Sequence, residues 1–163
     1  MNRQATLNFT PALVRRAVWA YWTRSVGITW PLMLVLLTAY IVHLVREGNT
    51  HWTVGVFGTL VAMGYVYLAA IYWAHLRQGM DRLSAMGTPQ GTLAMDEAGI
   101  ALTSGAGQSR LPWHTVQEVW RYPDFWIVLL SRSSYFTLPL VDLPEDMRAE
   151  LLARVRAHGG KTR

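Results

Sequence analysis

Cysteine is absent from the 163 residues, which excludes disulfides, thiol catalysis and the usual structural zinc sites. Acidic side chains are missing from residues 1–25, and formally charged ones from residues 26–45 and again from 52–76. Catalytic signatures are missing as well. The glycine-rich stretch Ser104-Gly105-Ala106-Gly107-Gln108-Ser109 lacks the Lys-Ser/Thr ending of a P-loop and leads into a strand pattern, so it reads as a hairpin turn. Asp96 and Glu97 fall in a turn, while Asp142, Glu145 and Asp146 surround a helix start where capping accounts for them. No metal-ligand spacing links His43, His51, His75, His114 and His158. The expectation is therefore a chain without catalytic, metal or cofactor residues, and not an enzyme.

The missing charge defines the first half of the chain. Residues 26–45 (VGITWPLMLVLLTAYIVHLV) and 52–76 (WTVGVFGTLVAMGYVYLAAIYWAHL) are each long enough, at 1.5 Å per residue, to cross roughly 30 Å of hydrocarbon. Pro31 lies near the start of the first, where the missing N–H is tolerated. Only Arg46 to His51 separate them, so they predict an antiparallel transmembrane hairpin over 26–76, with Gly48 and Asn49 in its turn. Trp30, Trp52, Tyr72 and Trp73 stand near the ends, where aromatic rings favour headgroup level. Gly55, Gly58, Thr59 and Ala62 give the second helix a small-residue surface for helix–helix packing, either against the first helix or in a homo-oligomer. His43 and His75 fall at opposite ends of the pair and cannot share an ion.

The formal net charge of +5 does not indicate nucleic acid, because Arg3, Arg15, Arg16 and Arg24 flank the first apolar segment. Those arginines, a turn in which Glu47 offsets Arg46, and Arg77 and Arg82 beyond the second segment predict that both termini are cytoplasmic. Within residues 1–25, Thr10-Pro11 begins an amphipathic helix with Leu13, Val14, Ala17, Val18, Tyr21 and Trp22 at helical spacing. It either lies in the membrane interface or packs on the cytoplasmic domain.

After a connector at 77–90 rich in Gly, Met and polar residues, the pattern over 91–160 becomes that of a small α+β domain. Strands are expected at 91–96, 99–104, 109–112, 117–122, 125–130 and 135–140, with a short helical turn at 113–116 and a tight turn from Ser131 to Ser134. They follow one another too closely for crossover helices, so the sheet is mostly antiparallel. Pro144, the acids Glu145 and Asp146, the stripe Met147, Leu151 and Val155, and Gly159 mark a final helix. Six strands and a capping helix follow the order of pleckstrin-homology-like domains.

From Leu93 to Val155 the chain resembles the YcxB-like family of bacterial membrane proteins. The resemblance rests on the Asp96-Glu97-Ala98-Gly99-Ile100 turn, Leu111-Pro112-Trp113, the Tyr122-Pro123-Asp124-Phe125 crossing and Leu138-Pro139 before a helix. It implies two membrane spans followed by such a domain, and implies no biochemical activity. Leu140-Val141-Asp142 replaces the basic and aromatic element common in the family after Pro139. The expected function is a regulatory or scaffold membrane protein binding a protein partner or the membrane surface. Contacts are expected at Arg15, Arg16, Arg77, Arg82, Trp120, Arg121, Tyr122 and Trp126. The alternatives are an immunity protein that blocks a membrane-targeting toxin, or an enzyme or transporter using the intramembrane histidines.

Overall fold

The computed structural model describes residues 3–48, 51–131 and 134–163. It divides into two units: one made of Met1–Ala17 with Gln78–Arg163, the other of Val18–Arg77.

The first unit starts with a strand, β1 (Arg3–Asn8), which the sequence reading absorbed into an N-terminal helical segment. Its alternation of Gln4, Thr6 and Asn8 with buried Ala5 and Leu7 is a period-two signal only six residues long. Helix α1 follows at Pro11–Val26, and the Thr10 hydroxyl accepts the Leu13 N–H at 3.2 Å, as an N-cap does. The rest of the unit supplies β2 (Gln90–Met95), β3 (Gly99–Ser104), β4 (Gly107–Pro112), a 3₁₀ turn at Trp113–Thr115, β5 (Glu118–Arg121), β6 (Phe125–Leu129) and β7 (Tyr135–Pro139). A C-terminal helix and a short strand, β8 (Lys161–Thr162), complete it.

These strands build two four-stranded sheets, ordered β1-β2-β3-β4 and β7-β6-β5-β8. All pairings are antiparallel except β5 with β8. The expected six strands are thus joined by one from each end of the sequence. β1 pairs with β2 over its whole length, with Ala5 opposite Leu93 and Leu7 opposite Gly91. Asp142 fixes the end of β1 by accepting the Asn8 backbone N–H at 2.7 Å and the Asn8 side-chain amide at 3.1 Å. Its expected role at a helix start is therefore replaced by a role in strand docking; the N-cap is Pro144, which has no side-chain bond to give.

The core draws on both sheets. Leu7, Leu93, Ile100, Val119, Val128 and Leu138 are fully buried, and Trp113 is 1% exposed. The C-terminal helix, Glu145–Ala157, lays Met147, Leu151 and Val155 on this core. Each such side chain contributes roughly 1.5–3 kcal/mol by leaving water. It ends where Gly159 takes φ +84° and the Gly160 N–H donates to the Val155 carbonyl at 2.9 Å.

In the second unit α2 (Thr29–Arg46) and α3 (Trp52–Ala85) are both long and apolar enough to cross a membrane. Gly27, at φ +69°, separates α1 from α2. Their side chains are largely uncovered by protein, with Leu36 60% and Val66 68% exposed, as lipid-facing residues are. α2 and α3 meet where the Leu34 side chain lies against Gly64 and where the Thr38 and Tyr65 hydroxyls lie 3.1 Å apart, and Leu34 and Val61 are the buried residues of the two helices. Gly55, Thr59 and Ala62 are exposed, and a Cβ at Gly55 or Gly58 would meet nothing within 4 Å. The small-residue surface is therefore not what joins these two helices. Gly48 takes φ +78° as a turn glycine should, whereas Asn49 lies outside the described residues.

Most of the connector at 77–90 is helical. α3 continues to Ala85 because Gln78 to Ala85 holds no proline and only Gly79 as a weak helix former. The chain then turns through Gly87 at φ +68° into β2. Gly105 in the β3–β4 turn faces the Met86 carbonyl so closely that a Cβ there would lie 1.9 Å from its oxygen. The Phe9 N–H donates to the Pro89 carbonyl at 2.8 Å. The expected turn from Ser131 to Ser134 is closed by the Leu130 N–H on the Ser134 carbonyl at 2.9 Å, with Arg132 and Ser133 outside the described residues.

Candidate partner and lipid contacts

Arg16 lies one residue before Ala17 on α1, and its side chain reaches the β5–β6 hairpin. Its Nη1 is 2.6 Å from the Asp124 carboxylate, and its guanidinium carbon lies 6.0 Å from the centre of the Phe125 ring. Tyr122 stacks on Phe125 with centroids 5.0 Å apart, and the Tyr122 N–H donates to the Phe125 carbonyl at 3.0 Å. Pro123 and Asp124 thus turn the hairpin, and Asp124 presents its charge to the helix. Leu13 and Ala17, one turn apart on α1, are buried too. This half of α1 therefore packs on the domain, the second of its two anticipated positions, and Arg16 pairs with Asp124 while its side chain stays 56% exposed.

The tryptophans expected as anchors are interior. Trp120 and Trp126 are each 7% exposed. Trp126 belongs to the core on one face of β6, while Trp120 stands opposite Ile127 on the other face. β6 is buried along its entire length, so both faces of the strand are covered. The sequence reading missed this because a continuous apolar run and an exposed aromatic look alike without the second layer. Of the remaining anticipated contacts, Arg15, Arg77, Arg82 and Arg121 are exposed and Tyr122 is half-buried.

Acidic groups are engaged structurally. Asp96 accepts the Ala98 and Gly99 N–H groups at 2.8 and 2.9 Å and pairs with Arg110, while its carbonyl receives the Trp113 indole N–H at 2.9 Å. Its pKa is lowered, most strongly by the Gly99 N–H; loss of hydration opposes this, and the Ala98 N–H and the Arg110 guanidinium add to the lowering. Glu150 lies 3.3 Å from Arg154, and Glu118 lies 3.1 Å from Arg163. Among the histidines, His43 is 3.4 Å from Glu47 on the next turn, His75 meets Tyr21 edge-on, and His158 stacks on Trp113. Among the described residues no group of three or more His, Cys, Asp or Glu could hold a metal ion.

Residues 96–153 match the family model of the YcxB-like protein. The chain carries a YcxB-like domain. No curated protein and no solved structure matches the chain. The match begins at Asp96, after β2, and stops within the C-terminal helix, so β1, β2, both long apolar helices and β8 lie outside it. In the YcxB-like segment the Asp96 turn, Trp113 and the Tyr122–Phe125 hairpin, which carry the sequence resemblance, are all fold-forming: one caps a hairpin, one fills the core, and one receives α1. What sequence reasoning did not find is the β5 edge with Glu118, occupied by residues 161–163; two residues of strand after a Gly-Gly pair give no periodic signal.

Proposed function

We propose that this is a non-enzymatic protein of the bacterial inner membrane, crossing it twice through α2 and α3, whose PH-like YcxB-like domain binds a protein partner on the cytoplasmic side. The observation carrying this reading is that the residues with chemical potential in the domain are engaged in building it: Asp96, Asp124, Asp142 and Glu118 each hold a turn, a helix or a strand. A protein partner is favoured over the lipid surface because Trp120 and Trp126 are interior, which removes the anticipated aromatic anchors, while the exposed Arg15, Arg77 and Arg82 serve either partner. Cytoplasmic placement follows the arginine-rich flank before the first span.

Crosslinking in cells, followed by purification in mild detergent, is expected to recover one stoichiometric protein partner with the full chain. The membrane alternative would appear as vesicle binding that rises with anionic lipid and needs no protein. Consistent failure to recover a partner, together with turnover of a substrate by the purified chain, would sink the proposal.

A further inference from the structure

Deepening the partner reading, we propose that the outer edge of β5 is a strand-addition site for an extended basic segment of a protein partner, held closed by the chain's own residues 161–163. β5 is a buried strand, with Val119 fully covered and Trp120 7% exposed, yet its neighbour on one side is only the two-residue β8. The Lys161 N–H donates to the Gln117 carbonyl at 2.9 Å, the Arg163 N–H to the Val119 carbonyl at 3.0 Å, and the Arg121 N–H to the Arg163 carbonyl at 2.8 Å. These are the bonds of a parallel ladder, and any extended chain in the same register forms them whatever its side chains.

Side-chain contacts add to these backbone bonds. Lys161 and Arg163 are exposed, and the Arg163 side chain reaches the largely covered Glu118 carboxylate at 3.1 Å. Thr162 accepts from Arg156 Nε at 3.0 Å. The segment leaves the C-terminal helix through Gly159 at φ +84° and Gly160, where a Cβ would lie 2.5 Å from Val155 and 2.8 Å from the Val116 carbonyl oxygen. That turn aims the chain back along β5. An uncovered edge here would leave the Gln117 and Val119 carbonyls and the Arg121 N–H without these bonds, beside a strand buried on both faces, which is the template unwanted strand pairing uses. Residues 161–163 close the edge through backbone bonds, and a competing strand replaces them by making the same bonds. Glu118 sets the chemistry of the replacement: a cation at the position of Arg163, on a strand running parallel to β5.

The test uses a dye-labelled peptide of residues 157–163 as the probe and the full chain in mild detergent. Lys161→Pro with Arg163→Pro removes the two tail donors and opens the edge. A tail linked through a short turn has an effective concentration near the millimolar range, so it competes strongly with peptide in trans. Fluorescence anisotropy should show the opened variant binding the peptide at least tenfold more tightly than wild type. Glu118→Arg in the opened variant should abolish that binding, and a peptide carrying glutamate at the place of Arg163 should restore it. Hydrogen exchange at the Arg121 amide should quicken at least tenfold in the opened variant, with Ile127 in β6 unchanged, which also shows that the variant is folded. Equal binding by opened and wild-type chains, absence of binding, or an Arg121 amide equally protected in both would overturn the proposal. A heterodimer in which a wild-type tail occupies an opened edge would assign the site to a second copy and overturn the choice of occupant. Failure to recover a cellular partner would count against the functional reading while leaving the peptide result intact.

Discussion

Asp96 and Gly105 show how single residues set this domain. The Asp96 carboxylate holds two N–H groups of its own turn and the Arg110 side chain, so its pKa is lowered on folding. A depressed carboxylate pKa gives stability that is complete above its unfolded value, near 4, and is lost as pH falls through the folded value. Asp96→Asn should therefore unfold at lower temperature than wild type at pH 7, with the difference narrowing below about pH 4. Thermal melts of the full chain across that range test the sign; a gap that widened on acidification would contradict it. Gly105 needs no unusual φ, yet the Met86 carbonyl occupies the space of a Cβ, so Gly105→Ala must push two backbone segments apart. A cost of about 1–3 kcal/mol is expected, as for other overpacked sites, and is measured by denaturant unfolding. Leu7→Ala, at a fully buried position, should cost about 2–5 kcal/mol in the same assay.

Among the elements, the strands from β2 to β7 and the C-terminal helix were legible in the sequence because each carries its own signal. Leu93 and Met95 alternate, glycines punctuate the turns, and Met147, Leu151 and Val155 recur every four residues. β1 and β8 were not legible, since each is a strand by virtue of the partner it finds rather than by its own residues. The burial of Trp120 and Trp126 was not legible for the same reason: whether either faces water depends on what covers each side of β5 and β6, and that is a tertiary fact. The consequence for β1 is testable. A fragment of residues 77–163 lacks Leu7 and Ala5 from its core and exposes the length of β2 as an edge, so it should aggregate or stay unfolded. Supplying residues 1–10 as a peptide should recover soluble, protected protein by circular dichroism and hydrogen exchange. A stable fragment without the peptide would show that β1 is dispensable.

At the scale of the molecule, β1 and β2 share a sheet although the chain between them contains both long apolar helices. Any bilayer that those helices cross must then be crossed an even number of times between residues 9 and 89. Reporters fused before Met1 and after Arg163 are expected to read the same compartment, and on the arginine distribution that compartment is the cytoplasm. A split result would break the strand pairing or the hairpin. The same feature orders the events of biogenesis. Asn8 meets Gln90 across 82 positions of sequence, so β1 leaves the ribosome long before its partner exists. At about 5–20 residues per second the delay is roughly 4–16 s, during which Leu7 and an unpaired strand are exposed. On the proposed two-span topology insertion comes before closure of the sheet, and a chain whose second helix failed to insert on schedule would keep its first strand waiting as an open template for aggregation.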